Sequence, residues 1–292
     1  MNFRTDLALE MKEYHKKETL DGVLSHEETV DGIKITTIEI INEQGERLIG
    51  KPKGRYITLE TDKLYKSSEA FSTGAKILCR ELRALLPEDG TVLVAGLGNE
   101  DITPDALGPK SLGLILATRH ISSDFAESLG LGKLRSVAGV VPGVLGKTGV
   151  ETVEIIDGVV KKISPSCVIV IDALASRSTA RLGTTVQLCD TGVSPGSGVG
   201  NRRKSINAKN LGVPVIAIGV PTVVDALTMA SDILEKTGVD LSEDDFVQHR
   251  QMMVTPKEID SLIGKASRLV AMGINLALQE SLSAEDIAEI VG

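Results

Sequence analysis

The sequence predicts an α/β fold: a mainly parallel sheet covered by helices on both faces, with an antiparallel hairpin layer on the N-terminal side. Three observations point to it. Short apolar runs at 91–94, 167–171 and 213–218 are too short for helices and lack alternation, as expected of strands buried on both faces. Longer stretches with apolar residues at helical spacing lie between these runs. Aromatic residues make up only 2% of the chain and Trp is absent, so the core has to be built from Val, Ile, Leu and Ala, the residues of parallel sheets.

Each element has its own signal. Residues 1–28 are charged and weakly patterned, and read as a surface arm ahead of a single α/β domain over 29–292. Between about 30 and 60 the alternation of Ile33, Ile35 and Thr37 with Lys34, Thr36 and Ile38 predicts a strand. Asn42-Glu43-Gln44-Gly45 reads as the turn, and 48–59 as the return strand. Ser67 or Ser68 caps a helix to about Leu86. Thr91 opens the first buried strand, and an apolar helix follows Gly108-Pro109. Val153, Ile156, Val160 and Ile163 mark a helix over 150–163, ended by Ser164-Pro165. Strands follow at 167–171, 184–188 and 213–218, then a helix over 223–236. A last long helix spans 252–278, with Thr255 as cap and Pro256 in its first turn.

Composition removes several classes of function. The 292 residues carry 32 basic and 40 acidic side chains, a net charge of −8, which is the wrong sign for a phosphate backbone. Few aromatics leave little to stack on bases. Direct nucleic-acid binding is therefore not expected. Cys79, Cys167 and Cys189 show no metal or redox spacing and read as free thiols in a reducing compartment. The chain has no apolar run of membrane-spanning length and no leader-like start, so a soluble protein is expected. His15, His26, His120 and His249 are isolated, and no zinc-ligand spacing appears.

Three glycine-rich loops invite chemical readings. Gly96-Leu97-Gly98-Asn99-Glu100-Asp101 opens like a dinucleotide fingerprint, but Asp101 stands where the last glycine is needed, and the carboxylates around it would repel a pyrophosphate. Pro142 to Thr148 nearly matches a phosphate-binding loop, with Val141 in place of its first glycine. A nucleotide-binding regulator built on this loop is one alternative function. The third loop, 190–204, ends in Arg202, Arg203 and Lys204; it reads either as a solvated loop or as a groove that holds an extended peptide, with the cations meeting an acidic side chain.

The carboxylates say more. Asp105 and Asp172 each follow a predicted core strand, and if those strands are neighbours both side chains emerge at one edge of the sheet. Two carboxylates at close range cannot both ionise easily, so one keeps a proton while the other stays anionic. Such a pair activates a water and polarises a carbonyl, which is hydrolysis without a metal or other cofactor. Acidic residues after strands also serve as helix caps, so spacing alone leaves both readings open.

Longer motifs narrow the choice. RTDLA at 4–8, GLGN at 96–99, TPDALGP at 103–109, PGV at 142–144, IDALASR at 171–177, DTG at 190–192, PGSGVGN at 195–201, IGVPTVVDA at 218–226 and MVTPKEID at 253–260 together resemble the germination proteases of endospore-forming bacteria, a family of atypical aspartic endopeptidases. The compact segment between Asp225 and Met253 departs from the family, whose members carry a longer insertion there. The resemblance implies a fold similar to hydrogenase maturation endopeptidases. It implies that Asp105 and Asp172, in TPDALGP and IDALASR, are the essential aspartates. Hydrogenase maturation peptidases use a metal-binding acidic/His set, and a metal-dependent peptidase is the second alternative; no equivalent His is apparent here.

The family resemblance also implies a substrate. Its members digest small acid-soluble spore proteins in the germinating spore, cutting after Glu, ahead of an apolar residue and Ala, with a second Glu nearby. Asp6-Leu7-Ala8-Leu9-Glu10 imitates such a site, which implies a zymogen that cuts itself between Asp6 and Leu7 and releases a propeptide of residues 1–6. Arg202, Arg203 or Lys204 is the expected subsite for the acidic side chain. A homotetramer in the cytoplasm of the forespore and spore core is the expected form, without membrane or direct DNA contact.

Overall fold

The computed structural model describes residues 4–15, 19–61, 67–128, 130–198, 200, 203–235 and 252–291. Nine strands form one sheet: β1 Val23–Val30, β2 Ile33–Ile40, β3 Gly54–Glu60, β4 Val92–Gly96, β5 Val137–Val140, β6 Cys167–Ser176, β7 Thr185–Cys189, β8 Val215–Asp225 and β9 Met253–Val254. Their order is β1-β2-β3-β7-β8-β6-β4-β5, with β9 on the end of β8. The half made of β8, β6, β4 and β5 is parallel, and the buried apolar runs in the sequence are its strands. The N-terminal strands are antiparallel, as the alternation predicts. They are not a separate layer: β3 pairs with β7, and β7 pairs with β8, so they extend the same sheet.

Helices cover both faces. Those in chain order are α1 Ala8–Tyr14, α2 Glu43–Ile49, α3 Ser68–Arg83, α4 Leu107–Leu112, α5 Ser123–Ser128, α6 Leu145–Thr148, α7 Thr152–Ile163, α8 Ala208–Leu211, α9 Ala226–Glu235, α10 Ile259–Leu278 and α11 Ala284–Val291. On one face α10 buries Ile263, Ala266, Val270, Ile274 and Leu278, a helical stripe against Leu78 and Leu82 of α3 and Ile169, Ile171 and Ile218 of the sheet. Gly273 lets these helices touch, since a Cβ there would lie 2.5 Å from Leu78 Cδ2. On the other face Val153, Ile156 and Val160 of α7 pack on Leu93, Val168 and Val170.

Four expectations are corrected. The arm is no surface appendage in its central part: Leu7 and Ala8 are fully buried, Leu9 and Glu10 nearly so, and residues from Val23 onward already belong to the sheet. The segment 43–49 is a helix, because the Asn42 side chain accepts the Gly45 N–H and caps it, and Gly50 ends it in the left-handed conformation. The last long helix starts at Ile259, since Met253 and Val254 are taken up by β9 and Thr255 donates to the Thr222 carbonyl rather than capping. Finally, β6 does not end at Ile171. It runs on to Ser176 alongside β8, which places Asp172 inside a strand.

Candidate active site

The parallel pairing of β4 with β6 brings the two nominated aspartates together. Asp105 sits at the end of a short 3-10 turn, Thr103–Asp105, reached from β4 through Leu97-Gly98-Asn99. Gly98 has φ +112°, and a Cβ there would overlap the Asp105 carbonyl oxygen, so the tight turn requires glycine. The turn aims the Asn99 N–H at Asp105 Oδ2, 2.8 Å away. Asp172 projects from β6, 8% exposed, and the N–H of the next residue, Ala173, donates to its Oδ1 at 3.0 Å. Both aspartates line a single cleft of about 570 Å³, together with Asp6.

Burial pushes the Asp172 carboxyl well above the usual carboxylate range, and the neighbouring charges of Asp105 and Asp6 push it further. Asp105 is raised too, again by burial, with the Asn99 N–H pulling the other way. The more buried Asp172 is the natural holder of a proton, and Asp105 the natural anion.

The N-terminal arm borders the cleft at Asp6 and is held there by both neighbouring strands. The Asp6 N–H donates to the Ala175 carbonyl at 2.8 Å, and the Ala175 N–H returns a bond to Asp6 Oδ2 at 2.9 Å. Ser197 Oγ donates to Asp6 Oδ1 at 2.7 Å. Gln187 of β7 spans the next residue: its Nε2 donates to the Asp6 carbonyl at 3.1 Å, and its Oε1 accepts the Ala8 N–H at 2.9 Å. Glu10, 2% exposed, ends in a cup: Oε2 takes the Arg177 N–H at 2.6 Å, and Oε1 takes the Ser178 N–H at 2.9 Å and Arg181 Nη1 at 3.2 Å. Arg181 is held in turn by Glu13 and Glu60.

Asp6 thus shares the cleft with the carboxylate pair and is a charged neighbour of Asp172. The glycine-rich loop after β7 takes the groove form: Gly196 and Gly198 wall the cleft, and a Cβ at Gly198 would overlap the Asp6 carboxylate. Lys204 pairs with Glu154 at 2.9 Å, Arg203 lines the cleft, and Arg202 lies outside the described residues, as does His249. The described partners of the Asp6 carboxylate are a backbone N–H and a hydroxyl. In the near-phosphate loop, Lys147 is tied to Asp101 while Gly143 to Gly146 form the cleft wall beside Asp105. Among the described residues no three of His, Cys, Asp or Glu converge as a metal-binding set.

Sequence reasoning misses Gln187, Ser197, Arg181 and the amides of Arg177 and Ser178. One signal was available: Gln187 is the lone amide in the buried run Thr185-Val186-Gln187-Leu188-Cys189. A buried amide needs partners, and here the arm supplies them.

A chain segment held through its backbone at Asp6 and Ala8, beside a pair of carboxylates of which Asp172 is buried, in an α/β frame, is an arrangement suited to a peptidase. The germination protease family matches residues 4–250, and the chain belongs to that family of peptidases. Its relatives include the germination protease of Caldanaerobacter subterraneus subsp. tengcongensis, 45% identical over 322 aligned residues covering 100% of this chain and 98% of the relative. That of Clostridium perfringens is 42% identical, covering 98% of each chain. That of Priestia megaterium is 38% identical over 356 aligned residues, covering 97% of this chain and 95% of the relative. These alignments are longer than the 292-residue chain, so the relatives carry residues that it lacks. Among solved structures the chain is similar to a NiFe hydrogenase maturation protease, HycI from Thermococcus kodakarensis, with TM-score 0.37 and 15% identity over 66% of this chain and 98% of that one. No helix among the described residues is long and apolar enough to cross a membrane.

Proposed function

We propose that this chain is an aspartic endopeptidase of the germinating spore, made as a self-processing zymogen, that cuts small acid-soluble spore proteins after Glu. The observation that carries the reading is the arm: within the Glu-like site Asp6-Leu7-Ala8-Leu9-Glu10, Asp6 lines the cleft of Asp105 and Asp172, and Glu10 is held by Arg177 N–H, Ser178 N–H and Arg181. Family membership supports a peptidase that works in germination, and a homotetramer in the spore core belongs to the same proposal.

The chemistry follows from the pair. Anionic Asp105 takes a proton from a water, whose oxygen bonds to the carbonyl carbon of the residue before the cut. Protonated Asp172 gives its proton to the carbonyl oxygen as the C=O π electrons move onto it. Collapse of the tetrahedral centre re-forms the C=O bond, returns the hydroxyl proton to Asp172 and breaks the C–N bond. The leaving amine takes the proton held by Asp105. Both carboxyls end in their starting states, and no metal is needed.

Recognition follows from the arm's contacts. Ala175 N–H and Ser197 Oγ would hold the acidic side chain before the cut, with Arg203 and its neighbours Arg202 and Lys204 as outer cations. The cup of Arg181 with the Arg177 and Ser178 amides would hold the second Glu, four residues further on.

The test is digestion of a purified small acid-soluble spore protein with chelator present, using protein whose N-terminus starts at Leu7. New C-termini at Glu, each followed by an apolar residue and Ala, are the expected fragments. No cleavage, cleavage abolished by chelator, or cuts unrelated to Glu would overturn the reading.

A further inference from the structure

The two carboxylates account for water activation and one proton on the carbonyl oxygen. They do not account for Gln187. This side chain is 6% exposed, sits in an otherwise apolar strand, and directs both ends of its amide at the arm. Its donor end meets one atom in particular: the carbonyl oxygen of Asp6, the carbonyl that is attacked if the bond to Leu7 is the one cut.

The sheet register explains the placement. Asp172 of β6 pairs with Gly219 of β8, and Gly219 pairs with Gln187 of β7. Paired residues on neighbouring strands point to the same face, so Asp172 and Gln187 rise from one face, two strand spacings or about 10 Å apart. Asp6 lies between them: it bonds to β6 through Ala175 and to β7 through Gln187. The Asp6–Leu7 peptide bond therefore crosses from the carboxylate strand toward the amide strand.

We propose that Gln187 is a catalytic residue: its Nε2–H stabilises the developing oxyanion on the scissile carbonyl, while its Oε1 fixes the substrate by accepting the N–H of the second residue past the cut. This deepens the proposed function and rests on Asp6–Leu7 being the bond that is cut. A fixed N–H donor aimed at a carbonyl oxygen strengthens as charge gathers there, and a buried strand holds it without reorganisation. The two bonds straddle the scissile peptide and fix its carbonyl, with one lone pair of the oxygen taken by Gln187 and the other left for the Asp172 proton.

The two ends of the amide can be separated. Gln187→Glu keeps an acceptor for the Ala8 N–H and, while its carboxyl is ionised, removes the donor to the Asp6 carbonyl; its protonated form restores an O–H donor. In the full-length chain at pH 8, the first-order rate of the Asp6–Leu7 cut, followed by mass, is expected to fall about a hundredfold or more in this variant, the loss typical of one oxyanion donor, and the deficit is expected to shrink as pH falls. Hydrogen exchange at Ala8 and Leu9 is expected to stay protected, so the arm remains docked. Gln187→Met, which removes both bonds at similar volume, is expected to slow the cut as much and to deprotect the arm as well. In the native enzyme, a substrate peptide N-methylated at the second residue past the cut is expected to lose at least tenfold in kcat/KM. That measurement stands even if both variants fail to fold. A Gln187→Glu rate at pH 8 within threefold of the native chain with the arm docked, or an N-methyl peptide cut as fast as its parent, overturns the assignment. Native chain inert toward both its own arm and the parent peptide would instead overturn the proposed function beneath it.

Discussion

The molecule buries two kinds of carboxylate, and their surroundings are opposite. Glu10 is 2% exposed, yet both its oxygens are met by donors: two backbone N–H groups, a guanidinium and the Thr5 hydroxyl. Asp172 is nearly as buried, and its bonding partner is the N–H of the residue next to it, with Asp105 and Asp6 as charged neighbours. A buried anion surrounded by donors is held in place, while one short of donors takes up a proton. The first arrangement binds a chain, and the second prepares one carboxyl of a pair to donate.

Substitutions that exchange the two situations should break this contrast. The largest effect is expected at the pair. Asp105→Asn and Asp172→Asn should each lower cleavage by about a thousandfold or more, and the double variant should be no slower than the worse single one, because the two groups act as a unit. Additive losses in single-turnover assays would show that they act separately.

Next comes the cup. Arg181→Gln leaves Glu10 with two backbone N–H groups and the Thr5 hydroxyl, and a buried carboxylate that loses its cation is strongly disfavoured. The arm should become susceptible to added protease. For peptide substrates with Glu four residues past the cut, kcat/KM should fall by about ten- to a hundredfold, as for a lost charge-assisted bond. Peptides with Gln at that position should be cut equally by both proteins. An unaltered preference for Glu would remove the cup from recognition.

A subtler effect concerns stability. The folded protein raises the Asp172 carboxyl, so its contribution to stability is fully present in acid and is lost as pH rises through that raised value. Asp172→Asn abolishes the loss. The variant should therefore melt above the native protein at pH 8, and the two should converge as pH falls toward 4. By the same sign, cleavage should accelerate as pH falls from 8, since acid fills the singly protonated pair.

The smallest effect is expected at Lys204. It lies 62% exposed against Glu154, and exposed pairs contribute little. Lys204→Ala should leave melting temperature and Glu preference unchanged, and a lost preference would return the cations to the acidic subsite.

The same contrast governs what can be read from the sequence. The carboxylate side was legible: Asp105 lies in the loop after one apolar run and Asp172 directly follows another, both runs too short to be anything but strands, and the parallel order follows from alternating strands and helices. The extent of β6 was not, because Ala173-Leu174-Ala175-Ser176 carries no β-branched residue and resembles a loop. The binding side was hidden for a different reason. Leu7-Ala8-Leu9 is too short for a period, and the charges of Glu10, Lys12 and Glu13 read as a solvated face. The burial of Leu7 to Glu10 comes with partners more than a hundred residues away, Gln187 and Arg181, which no local pattern announces. For α2 the signals were local and present, an Asn cap and a terminal glycine, but an alternating neighbourhood outweighed them.

The most direct test of the whole account is the mass of the full-length chain, followed over time after acidification with chelator present. Loss of residues 1–6, a single new N-terminus at Leu7, and no such change in Asp172→Asn are the predicted results. An intact chain, a cut at another bond, or the same cut in Asp172→Asn would contradict the claim that the carboxylate pair acts on the segment beside it.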